Sequence, residues 1–144
     1  MKALFLVALL TFSAITFASE TIEAQKNSSE LSILDLVVGI NRTYSETSGL
    51  EAKVVELLAG DGMNASRMVL ILNTGYQDTK IFELDEMMVA VRRITFLAKD
   101  VVVINYSQDS FDENDNQIII NKSMTIEVKR NTDNNLADTV EVSN

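Results

Sequence analysis

Residues 117–129, QIIINKSMTIEVK, decide the fold. Ile118, Ile120, Met124, Ile126 and Val128 fall on one side of a period of two, and Asn121, Ser123, Thr125 and Glu127 fall on the other. Successive side chains of a strand point to opposite faces, so this pattern describes a strand with one packed and one wet face. Antiparallel sheets are the usual setting for that arrangement. Lys122 interrupts the apolar side and is expected at a rim, its stem packed and its ammonium in water.

The neighbouring sequence repeats the signal in shorter runs. Residues 67–73, 80–84, 87–97, 101–106 and, more weakly, 139–142 are rich in Val, Ile and Thr. They are separated by NTGYQD, LDE, AKD, QDSFDENDN and NTDNNLAD, polar breaks mostly short enough for hairpins. Val101 to Ile104 is apolar on both faces and belongs in the middle of the architecture, between neighbours. Upstream, LSILDLVVGI (residues 31–40) alternates through Leu34, Leu36, Val38 and Ile40 and reads as a further strand.

Residues 48–60, SGLEAKVVELLAG, read differently. Ser48 and Glu51 have capping-box spacing, Leu50, Val54, Leu57 and Leu58 share a helical face, and Gly60 suits a left-handed stop. A short helix is therefore expected near residues 49–59, although Val54-Val55 also suits a strand. The fold expected is mainly β: a small antiparallel β-sandwich, with a partly open β-barrel as the alternative.

The N-terminal stretch, MKALFLVALLTFSAITFA, has a basic residue at Lys2, an apolar run from Leu4 to Phe17 and a small-residue exit at Ala18. That is the order of a secretory signal peptide, and the run is shorter than the ~20 residues of a membrane-spanning helix. The expected organisation is a signal peptide over residues 1–18, a flexible mature N-terminus over 19–30 and a single β-rich domain over 31–144. Removing 18 of the 144 residues leaves 126, enough for one domain with its own core. No membrane insertion is expected after cleavage. The mature segment holds too few Phe and Tyr for the aromatic girdles of an outer-membrane barrel.

Composition narrows function by removing chemistry. The chain has no Cys and no His, so disulfide frameworks, thiol or Ser-His-Asp nucleophiles and the usual zinc sites are excluded. A net charge of −9 without a basic stripe argues against nucleic acid. Export without cysteine points to a periplasmic or extracellular location, with bacterial export favoured. Five N-x-S/T sequons, at Asn27, Asn41, Asn64, Asn105 and Asn121, are expected by chance in so Asn-, Ser- and Thr-rich a chain.

The loop 109–116, DSFDENDN, offers oxygen ligands at Asp109, Asp112, Glu113 and Asp115, but Gln117 stands where an EF-hand needs Gly and Ser123 where it needs Glu. A solvated hairpin loop is the expected reading. Gly60 to Ala65, GDGMNA, matches G-x-G-x-x-A without the strand-to-helix context that dinucleotide binding requires. Arg92 and Arg93 lie within one strand, so they should point to opposite faces and one should find a partner at the rim, an acid by expectation. Glu83, Asp85 and Glu86 are neighbours in sequence, not a facing catalytic pair. No catalytic, cofactor-binding or metal-binding residue is assigned and no cofactor is expected. The expected function is an exported, non-catalytic domain acting through contacts with an unidentified protein partner or as an envelope-associated structural component. The alternatives are a small-ligand carrier with an apolar pocket, and a carboxylate-based hydrolase or hydrolase inhibitor.

Overall fold

A computed structural model of the chain describes residues 19–24, 37–58, 66–75, 78–87 and 89–144, with the backbone alone at residues 66 and 85–87. Nine strands account for most of them: β1 (Ser19–Glu23), β2 (Val37–Ser45), β3 (Leu50–Leu58), β4 (Ser66–Asn73), β5 (Thr79–Met87), β6 (Val89–Ala98), β7 (Val101–Phe111), β8 (Gln117–Arg130) and β9 (Leu136–Ser143). They form two antiparallel sheets, one of four strands in the order β2-β3-β4-β5 and one of five in the order β1-β9-β8-β7-β6. One residue separates β5 from β6, so the chain passes from one sheet to the other almost without a loop.

A single core joins the two sheets, as in a small β-sandwich. Leu50, Ala52 and Val54 of β3, Met68, Leu70 and Leu72 of β4, and Phe82 and Leu84 of β5 are buried from one side. Val102, Ile104 and Tyr106 of β7, Met124, Ile126 and Val128 of β8, and Val140 and Val142 of β9 close it from the other. The alternation in each strand aims these residues inward, and each large apolar side chain so buried contributes roughly 1.5–3 kcal/mol. Val101 and Val103 are half-buried on the outer side of β7, flanked by β6 and β8, as the doubly apolar run requires.

Two expectations are corrected. The helix expected near 49–59 is strand β3, hydrogen-bonded to β2 on one side and β4 on the other. Leu50, Ala52 and Val54 obey a period of two as well as Leu50, Val54 and Leu57 obey a helical one, and ladders on both edges decide between them. Ser48, read as a helix cap, lies in the β2–β3 turn, where Gly49 takes φ 64° and donates its N–H to the Ser45 carbonyl at 2.8 Å. The second correction is at residues 19–23. Expected to be flexible, they form edge strand β1, paired with β9 from Ser19↔Ser143 to Glu23↔Thr139, with Ile22 packed on the core. The signal peptide (1–18), residues 25–36 and the glycine motif at 60–65 lie outside the described residues.

Polar ties fasten one end of the sandwich. Arg130, at the end of β8, holds Asp100 of the β6–β7 turn with Nε 3.2 Å from both carboxylate oxygens and Nη2 2.8 Å from Oδ1. Its Nη1 also donates to the Asn134 carbonyl at 3.0 Å and its Nη2 to the Ser48 carbonyl of the β2–β3 turn at 3.5 Å, so one guanidinium ties three turns. At the same end, Lys80 of β5 reaches Asp138 of β9 at 2.5 Å, tying the sheets together. That hydrogen bond raises the Lys80 pKa above its ordinary value, outweighing the desolvation that would lower it. Asp78, just before β5, accepts the Leu136 N–H at 2.6 Å where β9 begins.

Candidate interaction surface

The β7–β8 hairpin projects beyond the neighbouring strands of its sheet. Its turn is built by Asp112. Oδ1 of Asp112 accepts the backbone N–H groups of Asn114 at 2.8 Å and Asn116 at 2.9 Å, and the Asn116 side-chain amide donates to Oδ2 at 3.0 Å. The Asp115 N–H returns to the Asp112 carbonyl at 3.1 Å, and Asp115 takes φ 59°. This is a type I turn followed by a left-handed residue, and Asx side chains are suited to both parts. The Asn116 side chain, then the backbone N–H groups of Asn116 and Asn114, hold the Asp112 carboxyl below the ordinary carboxylate pKa.

The β8–β9 turn repeats the same device. Asn131 Oδ1 accepts the N–H groups of Asp133 and Asn135, each at 3.0 Å, and Asn134 takes φ 64°. Thus DENDN (112–116) and NTDNN (131–135) are two versions of one turn, and the acidity of the first is turn chemistry. Asp109 sits back in β7 opposite Ile119, and among the described residues no three acidic side chains gather as a metal site would require.

Beyond the turn, the strands differ in length. β8 pairs with β7 along its whole first part, from Phe111↔Gln117 to Val101↔Glu127, but β9 reaches only as far as Thr125↔Ser143. Among the described residues, the far edge of Gln117 to Met124 has no neighbouring strand. The Asp112 N–H to Asn116 carbonyl bond makes 112–116 a hydrogen-bonded pair, and antiparallel pairs alternate. It follows that Gln117, Ile119, Asn121 and Ser123 direct their backbone N–H and C=O groups to the open edge.

The side chains on this projecting hairpin are apolar and wet. Ile119 and Phe111 share the outer face and are 64 % and 61 % exposed, while Ile118 and Ile120, on the other face, are 37 % and 38 % exposed. The sequence aligned Ile118 and Ile120 with Ile126 in one packed face. Only Met124, Ile126 and Val128 reach the core, because the hairpin extends past β9 and past the start of β6, where Val89 pairs with Gln108. Lys122 is exposed with them.

Other candidate residues are spoken for structurally. A bulge between Val91 and Arg93 leaves Arg92 as an extra residue in β6, so both arginines are exposed. Arg92 Nε donates to Ser107 Oγ at 3.1 Å, a hydroxyl in place of the expected acid. Glu83 pairs with Arg67 across β4 and β5 at 2.6 Å, and the side chains of Asp85 and Glu86 lie outside the described residues. Asn41 donates its amide to Glu56 at 3.4 Å; Asn121 is exposed, Asn105 is half-buried, and Asn27 and Asn64 are not described.

Two further surface features lie outside the hairpin. A shallow depression of about 120 Å³ on the outer side of the five-stranded sheet is lined by residues including Thr125, Glu127 and Glu141, below the size of a typical small-molecule pocket. A second apolar cluster, Val55, Leu57 and Val69 with Val37, Ile71 and Ile81, lies on the four-stranded sheet away from the main core. Among the described residues, no helix is long and apolar enough to cross a membrane. Compared with protein-family models, curated proteins and solved structures, the chain matches none.

Proposed function

We propose that this chain is an exported, non-catalytic domain, periplasmic or extracellular, that works through protein contacts made by its β7–β8 hairpin. The observation that carries the reading is the open, isoleucine-rich edge of β8. A strand edge with exposed apolar side chains is a template for pairing with another chain, and proteins usually cover or charge such edges. Here the edge carries Ile118, Ile119 and Ile120. Export is supported by the N-terminal pattern, with its basic residue, apolar run and small-residue exit at Ala18.

The test is photocrosslinking in the native host with a photoreactive residue at Phe111 and, as control, at Asp133 in the equivalent turn at the other end of β8. Adducts specific to position 111, in the exported fraction, are the expected result. Equal or absent labelling at the two positions, or protein confined to the cytoplasm, would refute the proposal.

A further inference from the structure

We infer that the protein pairs with a second copy of itself, β8 edge to β8 edge, in an antiparallel arrangement about a two-fold axis at Ile119. The inference rests on the protein-contact reading and names the partner. Three observations select a second copy and this register.

The backbone supplies the first. Gln117, Ile119 and Asn121 present donors and acceptors outward, and a two-fold axis at Ile119 sets Gln117 opposite Asn121, Ile119 opposite Ile119, and Asn121 opposite Gln117 of the second copy. These three facing pairs are then of the hydrogen-bonded kind. The second is room. β9 occupies the row beside β8 from Thr125 onward, so the turn of an incoming strand must stop short of it. With the axis at Ile119, Asn116 of the second copy falls opposite Lys122, leaving Ser123 and Met124 as clearance. Moving the axis to Ile120 brings Asn116 opposite Met124 and drives the rest of the turn against Ser143. Moving it to Ile118 gives up pairing length.

Side chains supply the third. The run Ile118-Ile119-Ile120 reads the same in both directions, so antiparallel pairing matches Ile118 with Ile120 on one face and Ile119 with Ile119 on the other. Apolar cross-strand pairs of this kind stabilise sheets. The register also brings Lys122 beside the turn of the second copy, which carries Asp112, Glu113 and Asp115. Opposite charges therefore meet at both ends of an interface whose molecules otherwise repel, each at −9. So short an edge buries less than the ~1,000 Å² of a stable interface, and the dimer is concentration-dependent.

The cysteine-free sequence makes the test direct. Facing residues of a hydrogen-bonded pair have Cα atoms about 5.5 Å apart, within disulfide reach, so Ile119→Cys should oxidise to a covalent dimer. Ile118→Cys is the control, because its symmetry mate lies two residues along the strand and beyond the ~7 Å limit. We expect Ile119→Cys to crosslink at least about tenfold faster than Ile118→Cys. We also expect wild-type protein to shift from monomer to dimer in sedimentation between about 5 and 500 µM, and Ile119→Lys to stay monomeric with an unchanged melting temperature. Equal crosslinking rates, a wild-type monomer at every concentration, or a dimer that survives Ile119→Lys would overturn the inference. A monomer that still gives position-111 adducts with other proteins would overturn self-pairing while sparing the functional proposal.

Discussion

Truncating two isoleucines of one strand tests the division of β8 into a packed half and a projecting half. Ile126 is 0 % exposed among core residues of both sheets, whereas Ile120, on the same face six residues earlier, is 38 % exposed. Ile126→Ala removes three buried carbons, about 2.4 kcal/mol at ~0.8 kcal/mol each, and leaves a cavity that adds roughly 1 kcal/mol or more. The expected loss is about 3–4 kcal/mol, which for a domain of this size lowers the melting temperature by more than about 10 °C. Ile120→Ala leaves no enclosed cavity, and water already reaches the site, so its loss should be at most about 1 kcal/mol. Urea denaturation at low micromolar protein, where the edge is unpaired, measures both, and unchanged m-values would show that only stability moved. Equal losses for the two variants would refute the packing assignment.

Three further outcomes are expected. Arg130→Ala should cost about 2–4 kcal/mol by urea denaturation, because it strips the half-buried Asp100 carboxylate of its guanidinium and frees three turns; a loss below ~0.5 kcal/mol would show that the ion pair is incidental. Asp112→Asn, which keeps an oxygen acceptor for the turn, should melt closer to wild type than Asp112→Ala, and the reverse order would contradict the turn assignment. The same carboxyl titrates below its ordinary value of 3.8, so its contribution is present above about pH 4 and lost as pH falls through the folded-state pKa. Wild type should accordingly lose melting temperature more steeply than Asp112→Asn below pH 4. Because the Asp112 oxygens already accept hydrogen bonds within the turn, Ca²⁺ or EDTA should shift the melting temperature no more than NaCl of equal ionic strength; a Ca²⁺-specific rise would contradict that.

The parts of this fold that local pattern controls were legible in the sequence. Met124, Ile126 and Val128 of β8, Val102 and Ile104 of β7, and most hairpin breaks follow from alternation and turn chemistry alone. Residues 50–58 were not legible, because LEAKVVELL satisfies a period of two and a period near 3.6, and the ladders to β2 and β4 that decide between them are non-local. Ser19 to Glu23 escaped for another reason. SETIE is polar apart from Ile22, and its strand geometry comes from one partner, the C-terminal β9. The open edge was hidden because it depends on how far β9 extends beside β8, which no periodicity records. Ile118 and Ile120 therefore read as core although they project beyond it. The sharing of one turn design by residues 112–116 and 131–135 was visible as an Asx residue at each start and an Asp or Asn in fourth place, once a left-handed conformation is required there.

Residue-resolved amide hydrogen exchange along β8 tests the open edge most directly. In dilute protein, Ile118, Ile120 and Lys122, whose N–H groups face β7, should be protected, while Ile119, Asn121 and Ser123 exchange at rates close to those of an unstructured chain. Raising the concentration should protect Ile119 and Asn121 selectively. Protection of Ile119 and Asn121 equal to that of Ile118 and Ile120 at every dilution would mean that the edge is already covered within one molecule, and would contradict the account.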